Sequence, residues 1–124
     1  MSARTDTAAR LFELIGARKF EEAKALLTPD FVQEWPQSGE RIRGPDNAMA
    51  VNENYPGLPT FALRRIVEGG DLVVAETTLS YGGTIVNGVH VFEFQGDRVA
   101  RETDYFSEPF HAPDWRARWV ERME

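Results

Sequence analysis

The chain has 124 residues, with 20 acidic against 14 basic side chains for a formal charge of −6, and it contains no cysteine. That length suits one domain with a sizeable core, the charge repels phosphate backbones and argues against nucleic acid as a partner, and the missing thiols exclude disulfides and zinc–thiolate sites. No apolar run approaches the roughly 20 residues of a membrane span, and Met1 to Asp6 lacks the apolar stretch of a signal peptide, so a cytoplasmic protein with one domain over 1–124 and no membrane association is expected.

Ala8, Leu11, Phe12 and Ile15 recur at helical spacing, which predicts a first helix over Asp6 to Ile15, stopped at Gly16. A second helix is expected from about Lys19 to Leu27, burying Phe20, Ala23, Leu26 and Leu27 and ended by Thr28-Pro29. Phe31 to Trp35 reads as a short strand closed by Pro36, and the polar run Gln37 to Arg41 as a turn. Gly44-Pro45-Asp46 starts a third helix that runs to about Asn54, where the breaker cluster Tyr55-Pro56-Gly57-Leu58-Pro59 stops it. Four longer strands follow: Phe61 to Glu68, Leu72 to Tyr81, Thr84 to Gln95 and Arg98 to Ser107. A last helix, Pro113 to Met123, would place Trp115, Trp119 and Met123 on one stripe. Helices first and antiparallel strands second indicate an α+β fold, with the helices packed on one face of a curved sheet.

The last two strands carry the candidate site. Opposed residues of an antiparallel pair share a face, and faces alternate with period two. A three-residue loop Gln95-Gly96-Asp97 would set Phe94 opposite Arg98, Phe92 opposite Ala100 and His90 opposite Glu102, with Asp104 one step farther along, whereas a two-residue loop would put His90 opposite Thr103; the three-residue register is the one expected. His90, Glu102 and Asp104 then form one patch bordered by Phe92, Phe94 and Phe106, while Val89, Val91, Glu93, Val99, Arg101, Thr103 and Tyr105 take the other face. A carboxyl among aromatic rings is disfavoured in its charged form, and a nearby imidazolium pulls the other way, so the cluster suits proton transfer. Acidic residues in strands usually face solvent, and a lone histidine is usually a satisfied structural residue; that bland reading stands beside the functional one.

Trp35 is a candidate for the pocket wall, or plain core packing. Tyr55 can bring its hydroxyl to a pocket, or simply pack at a helix end. His90 and His111, the only imidazoles, lack a recognised metal-ligand spacing, so no metal is expected. No glycine-rich phosphate loop leads from a strand into a helix, and no nucleophile elbow is present, so no cofactor is expected either.

The order of elements, the segment "FVQEWP…GERIRGPDN" and the closing "GDRVARETDYFSEP" resemble the nuclear-transport-factor-2-like superfamily, and within it the SnoaL-like group, over roughly Thr7 to Trp119. The resemblance implies a cone-shaped, bent antiparallel sheet wrapped around the N-terminal helices, with a pocket at the open end. It implies an inward Asp on the last strand acting as acid and base beside a His on the preceding strand; Asp104 in "ETDYF" and His90 in "GVHVF" match those places, and Glu102 is an added participant. Limonene epoxide hydrolase is similar in its last-strand "DYF", but Thr77 and Leu79 stand where its Arg and Asp partners fall. Ketosteroid isomerases are similar in outline, yet Trp35 replaces the catalytic Asp before Pro36, Leu11 the first-helix Tyr, and His90 the oxyanion-stabilising Asp. Tyr55 alone matches a supporting Tyr.

Three readings are therefore carried forward. One is a cofactor-independent acid–base enzyme acting on a small, mostly apolar carbonyl compound, with Asp104, His90 and Glu102 as catalytic residues and Trp35, Tyr55, Phe92 and Phe106 binding substrate. The second is a binding protein using the same pocket without turnover, and the third is an interaction module. A homodimer is expected under all three.

Overall fold

The computed structural model describes residues 2–123. The first helix, α1 (Ala3–Gly16), begins earlier than its apolar spacing implied because Ser2 caps it: the Ser2 hydroxyl accepts from the Thr5 amide, and the Thr5 hydroxyl accepts from the Ser2 amide. Its buried stripe is Ala8, Leu11 and Leu14. The second helix, α2 (Phe20–Lys24), is shorter than expected, because Leu27 and Thr28 already belong to a strand, β1 (Leu27–Trp35). Pro29 sits inside that strand without breaking the ladder, since it falls in the irregular stretch between Leu27 and Val32 where pairing lapses. The polar run expected as a turn divides: residues 36–39 turn, and β2 (Glu40–Arg43) returns antiparallel to β1. Then come α3 (Pro45–Glu53), β3 (Thr60–Gly69), β4 (Leu72–Tyr81), β5 (Thr84–Gln95) and β6 (Arg98–Ser107), all within a residue or so of their sequence-based positions.

The six strands form one curved sheet in the order β2-β1-β6-β5-β4-β3. The sheet is mixed, not wholly antiparallel as expected: β1 runs parallel to β6, while every other neighbouring pair is antiparallel. Parallel neighbours need a long crossover, and here α3 and β3 to β5 lie between them in the chain. The helices lie against the concave face, where Leu11, Leu14, Ala23, Ala48 and Met49 meet Phe31, Val73, Ala75, Phe92, Phe94 and Val99 in one core.

The β5–β6 hairpin departs from the expected register. Gln95 pairs with Arg98, so the loop is the two residues Gly96-Asp97, with Gly96 in the left-handed region at φ 65°. Phe94 then pairs with Val99 and Glu93 with Arg101, which makes Ala100 the extra residue of a β-bulge. Beyond it His90 opposes Asp104, not Glu102, and Phe92 opposes Glu102. The bulge restores the parity that a two-residue loop alone would reverse, so His90, Glu102 and Asp104 do share the concave face. Val99, expected outside, is fully buried.

The predicted C-terminal helix is not formed. Asp114–Trp119 is a short 3-10 helix, and Trp115 and Trp119 are exposed, at 72% and 70%. Their apolar stripe finds no surface of this chain to pack on, and an isolated helix of that length is marginal in water. On the convex side of the sheet Val67, Leu72, Ile85, Val89 and Tyr105 are exposed. Among the described residues no helix is long and apolar enough to cross a membrane.

Candidate functional site

The registers lay the concave face out in rows. Ala75, His90 and Asp104 form one row across β4, β5 and β6; Thr77, Gly88 and Phe106 form the next; Leu79 and Val86, joined by Phe61 from β3, form the one after. Gln33 of β1 pairs with Glu102, which brings Gln33 and Trp35 alongside the carboxyl groups. A cavity of about 580 Å³ opens against this face and α1 and α3, with Gln33, Trp35, Tyr55, His90, Glu102, Asp104 and Phe106 on its wall. Phe92 does not reach it: the ring is fully buried, stacked on His90 and packed edge-on against Phe12.

The Asp104 carboxylate is 1% exposed, and donors surround it. Its Oδ1 lies 2.8 Å from His90 Nδ1. Its Oδ2 accepts from Gln33 Nε2 at 2.6 Å and from Trp35 Nε1 at 2.9 Å. With Nδ1–H given to Asp104, the other ring nitrogen, Nε2, meets the Thr77 hydroxyl at 2.8 Å. The hydroxyl donates to a neutral ring and accepts from a charged one, so Thr77 completes the imidazole in either state. Phe12 and Phe106 close over the ring edge-on, with centroids 4.9 and 5.7 Å away.

The two carboxyl groups are driven apart. Burial pushes Glu102 well above the ordinary carboxylate range, and the adjacent Asp104 charge and hydrogen bond add to that. Burial would raise Asp104 too, but hydrogen bonds from His90, Glu102 and Gln33 together with the His90 charge outweigh it and hold Asp104 below its usual value. The proton of the pair is thus favoured on Glu102 and the charge on Asp104. Ligand atoms of His90, Glu102 and Asp104 lie within 4.8 Å of one another, close enough for a cation. Yet N–H donors point at both Asp104 oxygens, and both imidazole nitrogens are engaged. This set is built to hold an anion and a proton.

Sequence reasoning missed Gln33, Thr77, Gly88 and Tyr81. Period two from Phe31 and Trp35 selects Gln33 for the inner face, and the apolar alternation Val73, Ala75, Leu79 selects Thr77 and Tyr81. Gly88 had no such signal. It faces inward where a Cβ would stand 2.6 Å from Thr77 Oγ1 and 3.0 Å from His90 Nε2, so glycine makes the room in which that hydrogen bond forms.

Comparison with known proteins places these features in context. The SnoaL-like domain family matches residues 8–102. A crystal structure of an NTF-2-like protein of unknown function from Burkholderia xenovorans LB400 is 35% identical, covers 98% of this chain and 96% of its own, and superposes with a TM-score of 0.84. A candidate ketosteroid isomerase from Kribbella flavida DSM 17836 is 30% identical over 98% of this chain and 90% of its own, at a TM-score of 0.92. An LEH-like epoxide hydrolase from M. tuberculosis is 25% identical over 85% of this chain and 83% of its own, at 0.70. No curated protein matches the sequence.

Two outcomes test the geometry. Gly88→Ala forces Thr77 Oγ1 off His90 and should cost about 1–3 kcal/mol in denaturant unfolding. In a Thr77→Ala background the same change should cost clearly less, and full additivity would show that the two sites are independent. Because the folded-state pKa of Glu102 is raised, the folded protein binds more protons than the unfolded chain above the ordinary Glu range. Stability should fall there as pH rises toward the folded pKa. Glu102→Gln should flatten that slope in melting curves taken from mildly acidic to mildly alkaline pH.

Proposed function

From the premise that the chain belongs to the SnoaL-like domain family, we propose that it is a cofactor-independent acid–base enzyme acting on a small, mostly apolar carbonyl compound. One observation carries this reading: two buried carboxyl groups, with proton affinities pushed in opposite directions, lie side by side on the wall of an otherwise largely apolar cavity. Environments that push paired titratable groups apart assign their roles. Glu102 delivers its proton to the substrate oxygen as Asp104 takes one from the adjacent carbon. The pair begins and ends with one proton between two carboxyl groups, so net charge in the buried site does not change during the step. His90, oriented by Thr77, steadies whichever charge Asp104 carries, and Gln33 and Trp35 hold the carboxylate in place.

The position before Pro36, where a ketosteroid-isomerase base would stand, is Trp35, which donates to Asp104 instead of accepting a proton. Thr77 and Leu79 supply no charge for an epoxide-opening triad. The chemistry proposed for this chain is therefore enolisation of a carbonyl compound, in a cytoplasmic protein that pairs as a homodimer through the exposed apolar convex face.

The direct test is exchange of α-protons for deuterium in small apolar ketones and enones, followed by NMR. Wild type should accelerate exchange for at least one of them, and Asp104→Asn or Glu102→Gln should each reduce the rate by about 10²–10⁴. No acceleration across the panel, with ligand binding retained, would make this a binding protein without turnover. Separately, sedimentation should give twice the chain mass at micromolar concentration, and a strictly monomeric protein would remove the dimer.

A further inference from the structure

We infer that the hydroxyl pair of Tyr55 and Tyr81 is a second polar station in the same cavity, and that the ligand is an elongated apolar molecule with an oxygen function at each end. This rests on the acid–base reading of the cavity and extends it to the shape of the substrate.

The two hydroxyls are 2.8 Å apart, and both side chains line the cavity that holds Glu102 and Asp104. One proton makes the bond between them. The accepting phenol still has its own O–H to give, and lone pairs remain on the donor oxygen, so the pair can serve a third group as donor or acceptor. Burial, and then the hydrogen bond with Tyr55, pushes Tyr81 upward in pKa, so it stays a neutral phenol.

Distance follows from the strand. Thr77, Leu79 and Tyr81 share the concave face of β4, and Thr77 is bonded to His90. Four residues of strand put Tyr81 about 13 Å beyond Thr77. The wall between is the apolar row Phe61, Leu79 and Val86, with Phe106 beside it. That stretch of the strand wall offers a ligand no polar side chain. A ligand polar at one end only would satisfy one station and leave the other to water. The cavity thus selects length as well as polarity.

Calorimetric titration tests this with two probes: biphenyl bearing a hydroxyl at one para end, and biphenyl bearing one at both. The diol should bind wild type about tenfold more tightly than the mono-ol, the worth of one added hydrogen bond. A Tyr55→Phe/Tyr81→Phe double variant should lose that advantage, binding the diol and the mono-ol with equal affinity. Equal affinities in wild type, an undetectable diol, or an advantage that survives in the double variant would each overturn the second station. The wild-type comparison needs no variant to fold. Failure of the acid–base reading would instead appear as absent ketone exchange, which the diol–mono-ol difference does not affect.

Discussion

A carboxylate removed from water is tolerated only where donors replace its hydration, and Asp104 makes that demand on the whole sheet. Its own strand supplies only the Glu102 carboxyl. His90 reaches it from β5, and Gln33 and Trp35 reach it from β1. The parallel neighbour is thus the electrostatic partner of the last strand. With β1 elsewhere, Oδ2 would keep neither of those donors. Losing one donor to a buried charge costs more than losing a neutral hydrogen bond, so this network disfavours slipped pairings of β1 against β6. Glu102 inherits the consequence. Beside a charge that is already paid for by three donors, a second charge has none to spare, and the proton stays.

The inward face of the hairpin was legible, but its register was not. A three-residue loop, and a two-residue loop followed by one bulged residue, both keep His90 and the even-numbered positions beyond the bulge on one side. The two differ only near the turn, where they place Arg98 or Val99 inside. A charged residue next to an apolar one decides that question, and Val99 is the buried one. Attention to that pair would have located the bulge. Acidic residues on an inward face contradict the hydrophobic pattern around them, and such local conflicts collect at functional sites.

Other features show where local pattern stops being sufficient. Strands β3 to β6 were legible because glycine turns bound them and period two runs through them. Leu27 reads equally well as the end of a helix or the start of a strand, and its partner Val99 lies at the far end of the chain. The C-terminal stripe of Trp115 and Trp119 has helical spacing, yet spacing describes only one side of a contact. The roles of Thr77 and Gly88 likewise exist only through His90, a strand away. Period two can choose their face; it cannot say what they meet.

The apolar rows and the acid cluster also act on each other. Glu102 holds its proton chiefly because it is buried, so anything that removes water from the cavity strengthens that hold. An apolar ligand seated along Leu79, Val86 and Phe61 displaces such water without offering Glu102 a charge. Linkage is reciprocal: if the ligand raises the proton affinity of Glu102, the protonated site binds that ligand more tightly than the ionised one by the same factor. The protonated acid and an apolar occupant of the cavity then favour each other. Aromatic rings and titratable groups share one face of this hairpin, and the burial that this face provides is what favours the proton on Glu102.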